Sequence, residues 1–182
     1  MKANVAKVYI VMGVSGSGKS SIGQALAERL GIAFIDGDDL HPSDNIKKMC
    51  RGEPLNDKDR QPWLNRIRQQ ARQCLAEQHS VVIVCSALKK HYRDTLRQAG
   101  HEVVFIFLDG SFQLISQRLA GRSEHFMPSE LLASQFASLE VPSTTETDVL
   151  RTDINGSVRQ IVSRCISAIA RSEQAHQPLP RA

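Results

Sequence analysis

Residues 13–20 read GVSGSGKS, a complete G-x-x-x-x-G-K-[ST] pattern. Glycines at 13, 16 and 18 let the main chain pass close to an anion with no Cβ in the way. Successive N–H groups that run into a helix N-terminus make a concave, positive seat for phosphate. A lysine and a hydroxyl closing the pattern suit a nucleoside triphosphate. Lys19 is expected to reach the β- and γ-phosphates and Ser20 to ligate Mg²⁺. Gly13, Val14, Ser15, Gly16, Ser17, Gly18, Lys19 and Ser20 are therefore the expected nucleotide cradle. The bland alternative, a glycine-rich turn that merely starts a helix, is disfavoured by the apolar run before it and the amphipathic run after it.

A second cluster is acidic. IAFIDGDDLH places Asp36, Asp38 and Asp39 just past another apolar run. An extended chain alternates its sides with a period of two, so Asp36 and Asp38 share a side. Phosphoryl transfer needs such a pair, one carboxylate near the metal and one at the acceptor hydroxyl, to orient it and take its proton late. The competing role is capping of the helix that starts near His41. For Asp39 the two roles weigh equally. The run VVIVC, where a metal-binding acid often follows, ends instead in Ser86 and Ala87.

The elements that must position these groups are legible from periodicity. Strands are predicted at 7–14, 32–36, 81–85, 102–108 and, more weakly, 148–153. Helices are predicted at 19–30, 41–50, 59–78, 89–99, 111–120 and 157–171, with one more carrying Leu132, Phe136 and Leu139 after a polar break. Pro42 and Pro62 are expected in first turns, where N–H groups lack intrahelical partners. Trp63 lies on an apolar helix face and reads as core. Strands alternating with helices imply a three-layer α/β/α domain around a five-stranded parallel sheet. Ligands of such sheets sit beyond the carboxyl ends of the strands. That rule gathers 13–20, 36–41, 86–90 and the segment around Arg122.

A length of 182 residues suits one domain and leaves no second one to hold an acceptor. Residues 1–172 are expected to form it, with a small helical lid at about 121–142 and a flexible tail at 173–182. The formal charge of +4 is too weakly basic for a dedicated nucleic-acid partner. No apolar stretch approaches the roughly 20 residues that span a bilayer, and no secretory signal is visible. None of the four cysteines forms a CxxC pair, so no zinc or redox site is suggested, and a cytoplasmic setting is expected.

Longer blocks carry a resemblance. MGVSGSGKS at 12–20, DGDDLHP at 36–42, NIKKMCRGEPLNDKDRQPWL at 45–64, CSALKKHYRD at 85–94 and HFMPSELLASQFASLE at 125–140 together cover most of residues 8–140. The chain resembles the gluconate kinases (gluconokinases) of the P-loop kinase superfamily, related to nucleoside monophosphate kinases and shikimate kinase. The P-loop is shared by very many enzymes; GEPLNDKDRQPWL and CSALKKHYRD are far more specific.

The resemblance implies a P-loop NTPase fold of the nucleoside monophosphate kinase type. The implied reaction is transfer of the ATP γ-phosphoryl to the 6-hydroxyl of D-gluconate, with Mg²⁺. It implies Asp38 as base and Asp36 as a ligand of Mg²⁺ through water. Arg51 and Arg60 are favoured for the substrate carboxylate, since a bidentate arginine suits it. Lys89 and Arg93 are further cations, each weighed against a surface charge or structural ion pair. His41 and Ser86 are expected at the polyol, although His41 could equally be a cap. Arg118 is expected beside adenine, and Arg122, from the lid, at the phosphates; a helix C-terminal charge is the alternative for both. The adenine pocket is expected to include main chain near residues 154–156. Relatives of this kind imply a homodimer.

Overall fold

The structure, a computed structural model, describes residues 5–121 and 129–175. Five parallel strands form one sheet in the order β2-β3-β1-β4-β5. They are β1 (Val8–Met12), β2 (Ala33–Asp36), β3 (Val81–Val84), β4 (Val103–Asp109) and β5 (Val149–Asp153). The helices are α1 (Lys19–Leu30), α2 (Ser43–Cys50), α3 (Asp57–Ala76), α4 (Lys90–Arg97), α5 (Phe112–Ala120), α6 (Ser129–Ser138) and α7 (Val158–Ala175). The expected three-layer α/β/α architecture is what the chain adopts.

Every residue of β1 and β3 is buried, as a strand covered on both faces requires. Their side chains divide by alternation. Tyr9 and Val11 join Ile22, Leu26, Ile115, Ile161 and Cys165 under α1, α5 and α7. Val8, Ile10 and Met12 join Trp63, Leu64, Ile67, Tyr92 and Leu96 under α3 and α4.

Local chemistry moved several boundaries. The helix expected from His41 begins at Ser43, because a 3-10 turn (Gly37–Leu40) intervenes, closed by the Asp36 carboxylate accepting from the Asp38 amide. Helix α3 begins two residues earlier than expected. Asn56 and Asp59 form a reciprocal capping box ahead of the first apolar contact. Pro62 consequently falls in the second turn, not the first. The intrahelical bond it cannot make would have gone to the carbonyl of Lys58, an exposed residue that water can serve. Helix α7 continues through Ala175, so residues 173–175 of the expected tail are helical. Burial, and after it the Glu173 carboxylate on this stretch, raise the Tyr9 pKa to about 12.

Candidate active site

The phosphate-type loop leaves β1 at the carboxyl edge of the sheet and becomes α1, with Gly18 as N-cap at φ 94. Gly16 (φ 81) is required twice over: its conformation is left-handed, and a Cβ there would stand 2.9 Å from the Leu119 side chain. The Lys19 ammonium folds back over the loop and donates to the Val14 carbonyl at 3.0 Å. Enclosure lowers the Lys19 pKa, and the nearby charges of Asp38 and Asp36 partly restore it. The Ser17 hydroxyl, fully buried in the same loop, is the one buried side-chain polar atom without a partner among the described residues. An open glycine cradle, a poised lysine and an unused hydroxyl are what an anionic ligand would meet. The Gly13 amide donates to the Ser86 carbonyl at 3.2 Å, tying this loop to the exit of β3.

The acid turn is held from below. Trp63 donates from Nε1 to the Gly37 carbonyl at 2.7 Å. A Cβ on Gly37 would lie 2.2 Å from the Val84 carbonyl, so the turn packs against β3 as only glycine permits. Above it the Asp38 side chain is 83 % exposed. The enclosure on its protein side and the neighbouring Asp36 carboxylate raise its pKa. Beneath, burial pushes the Cys85 thiol up to about 12, which leaves it an inert core group. His41 lies flat on Trp63 with Nε2 4.0 Å from Asp38 Oδ1.

Past the acids stands a cationic cluster built on one aromatic ring. Arg60 and Lys89 lie over Tyr92 at 5.9 and 5.7 Å from its centroid. Lys89 pairs with Asp57 at 2.9 Å, and the Tyr92 hydroxyl donates to the same carboxylate at 2.5 Å. These bonds, the tyrosine's foremost, lower the Asp57 pKa. Arg60 also donates to the Tyr92 oxygen at 3.4 Å. An open depression lined by Leu55, Asn56, Asp57, Lys58, Arg60 and Lys89 adjoins the cluster.

Comparison with known proteins gives the chain its family. The family profile described as Shikimate kinase matches residues 15–170. The thermoresistant gluconokinase of Escherichia coli is 46% identical over 166 residues, covering 91% of this chain and 95% of that one. The solved structure of a gluconokinase from Sinorhizobium meliloti superimposes with a TM-score of 0.85 at 44% identity, covering 94% of this chain and 97% of that one. The chain belongs to the gluconokinase family. The APS kinase CysC of Mycobacterium tuberculosis, at 20% identity and a TM-score of 0.61 over 91% of this chain and 98% of that one, shares the P-loop kinase fold alone.

Within this gluconokinase-family chain the residues singled out from sequence do not all converge. Lys19, Asp36, Asp38 and His41 lie together, with Ser86 joined through Gly13 and Arg60 within electrostatic reach of His41. Ser20 is exposed at the start of α1. Arg51 is not brought into the cluster by any hydrogen bond among the described residues. It is exposed at the end of α2, and its guanidinium is engaged by Glu53 at 2.7 and 3.2 Å. Arg118 donates to the carbonyls of Ile154 and Gly156, at 2.5 and 3.1 Å, so it meets the loop expected at adenine through hydrogen bonds to main chain. Arg122 lies outside the described residues.

Arg93 resolves as the structural ion pair. It is fully buried, grips Glu146 with Nε and Nη2 at 2.8 and 2.7 Å, and donates through Nη1 to the carbonyls of Ala87 and Leu88. Sequence reasoning missed Asn45, Asp57, Tyr92, Gln135 and Glu146. Gln135 accepts from the Ser15 amide at 3.3 Å, bringing α6 onto the phosphate loop. Asn45 stands four residues from His41, a spacing that could have linked the two, but its other partner and those of the remaining four are remote in sequence. Trp63 is core, as read, but its indole N–H also fixes the acid turn. A buried tryptophan's need for an acceptor was the available signal.

Proposed function

We propose that the chain transfers the γ-phosphoryl of ATP to the 6-hydroxyl of D-gluconate, giving 6-phospho-D-gluconate and ADP. One observation carries this reading: Lys19 of the phosphate loop and Asp38 of the acid turn lie within electrostatic reach of each other at one edge of the sheet. A phosphoryl donor and an acceptor hydroxyl would meet between them. The relatives named gluconokinase supply the acceptor's identity.

The loop N–H groups and Lys19 would hold the β- and γ-phosphates. No group of three or more His, Cys, Asp or Glu among the described residues makes a metal cage. Mg²⁺ commonly needs none, taking one or two protein ligands with water and phosphate oxygens. Ser20 and, through water, Asp36 would hold it, and it would supply charge neutralisation at the phosphates. Asp38 would orient the acceptor hydroxyl and take its proton late, as a loose transition state demands. Arg60 and Lys89 would take the carboxylate of the sugar acid, with Ser86 at the polyol. Arg51 would reach it only by giving up Glu53. A lid over 121–142, bearing Arg122, belongs to the same proposal, and the Gln135 contact to Ser15 supports it.

A panel of sugar acids with ATP and Mg²⁺, read by ADP release, tests the reading. Gluconate should stimulate turnover most. Folded protein with no gluconate-dependent ADP release would overturn it, and a larger response to another acid would reassign the acceptor. Arg60→Ala should raise the KM for gluconate roughly tenfold, the lower end for a hydrogen bond to a charged group. The KM for ATP should stay unchanged, and a rise there instead would remove Arg60 from the acceptor side.

A further inference from the structure

The surroundings of His41 leave its imidazole one protonation form. The ring is buried (8 % exposed) and stacked on Trp63, with centroids 4.3 Å apart and planes 12° from parallel. Its Nδ1 stands 3.2 Å from Asn45 Nδ2. The Asn45 amide cannot be turned over. Its nitrogen is also 2.8 Å from the main-chain oxygen of Asp59, and placing the amide oxygen there would set two acceptors against each other. The amide nitrogen therefore donates to both, His41 Nδ1 accepts, and the imidazole proton sits on Nε2. That atom faces Asp38 Oδ1 at 4.0 Å.

Four neighbours act on this ring. Asn45, on α2, opposes a second proton, because an Nδ1–H would abut the amide N–H. Burial, in which the Trp63 face on α3 takes part, lowers the His41 pKa, and the Arg60 charge from α3 lowers it further; Asp38, on the 3-10 turn, works the other way. Burial leads, so the ring is neutral at neutral pH.

We propose that His41, kept in its Nε2–H form by Asn45, is a positioning residue for Asp38: the Nε2–H engages one carboxylate oxygen and leaves the other for the acceptor hydroxyl. This rests on the phosphoryl-transfer reading of the site. A gap of 4.0 Å is too long for a hydrogen bond, and a shift of about 1 Å on substrate binding closes it. A neutral donor restrains the carboxylate without the full positive charge that would weaken it as a base. With Nδ1 occupied by Asn45, Nε2 is the ring's remaining polar atom and it faces Asp38, so His41 serves the acid and not the polyol.

Two measurements on the full chain test this. Steady-state kinetics with ATP, Mg²⁺ and gluconate compare wild type with His41→Phe, which keeps a flat ring on Trp63 but has no donor, and His41→Gln, which offers an amide N–H. His41→Phe should lose at least about tenfold in kcat, with the gluconate KM within about threefold, and His41→Gln should recover most of the loss. Nitrogen-15 NMR of the wild-type imidazole, which needs no variant to fold, should show Nε2 protonated and Nδ1 bare at neutral pH. Turnover of His41→Phe near wild type, a loss confined to KM, no recovery in His41→Gln, or a protonated Nδ1 would each overturn the role. If the wild type phosphorylates no sugar acid at all, the phosphoryl-transfer reading fails and this role with it. Normal wild-type turnover beside an unaffected His41→Phe sinks the role alone.

Discussion

Asp38→Asn should lower kcat by at least about tenfold, the low edge of what acid–base groups contribute. The substitution keeps the side chain's size and leaves the main-chain bond that closes the turn, which uses the Asp38 amide and the Asp36 carboxylate. It removes the carboxylate's charge and with it the capacity to take a proton. The position tolerates the change structurally, since the side chain is 83 % exposed. Stability and ATP affinity should therefore stay near wild type. Single-turnover measurements of phosphoryl transfer check the prediction, and a variant with near-normal turnover would remove Asp38 from the role of base. Nucleotide binding measured alongside separates this outcome from damage to the phosphate loop.

Arg93→Ala should destabilise the fold severely. Removing one partner of a buried ion pair costs about 3–5 kcal/mol, because the other charge is left stranded. For a domain of this size that corresponds to a fall in Tm of roughly 6–20 °C. The stranded partner is Glu146, whose side chain is only 5% exposed and which also accepts from Arg97 at 2.6 Å. The arginine also braces the loop that follows β3. Its Nη1 takes the carbonyls of Ala87 and Leu88, and Ala87 is held at φ 45, a conformation an alanine rarely adopts. Losing Arg93 should thus loosen the loop that carries Ser86 and Lys89, and surviving activity should show a raised KM for the acceptor. Arg93→Lys should recover little, since lysine cannot grip a carboxylate with two parallel bonds while serving two carbonyls. Thermal unfolding decides; a Tm within about 2 °C of wild type in the alanine variant would show the pair to be expendable.

The same pair sets an acid limit. Arg93 and Arg97 lower the Glu146 pKa to about 2, below its ordinary value of 4.5. A depressed carboxylate stabilises the fold above its unfolded pKa and loses that contribution as pH falls through the folded one. Stability should therefore decline between about pH 4.5 and pH 2, and less steeply in Glu146→Gln. Denaturant melts across that range measure the difference, and parallel slopes would dissociate Glu146 from acid unfolding.

The sheet, its helices and the phosphate loop were legible because each is written locally. Val8–Met12 and Val81–Val84 are continuous apolar runs, and a strand buried on both faces needs just that. The loop's three glycines lie within six residues of sequence. Boundaries slipped where side chains intervene: Asn56 and Asp59 started α3 early, and Asp36 wound Gly37–Leu40 into a 3-10 turn. The cations were harder. Arg51, Arg60 and Arg93 are alike as residues in a sequence, yet one pairs with Glu53 at the surface, one stands over Tyr92, and one is buried against Glu146.

By itself, then, the sequence determined the class of fold, the seat for a phosphate and the pair of acids after β2, because short-range chemistry encodes all three. Tertiary structure alone decided which cation stands over Tyr92, which one is buried against Glu146, and which nitrogen of His41 the Asn45 amide meets. Those depend on partners many residues away: Arg93 on Glu146, Lys89 on Asp57, the Gly37 carbonyl on Trp63, and the Asn45 amide on the main chain of Asp59. A charged or polar side chain takes its role from the group that folding sets opposite it, and no local pattern records that group.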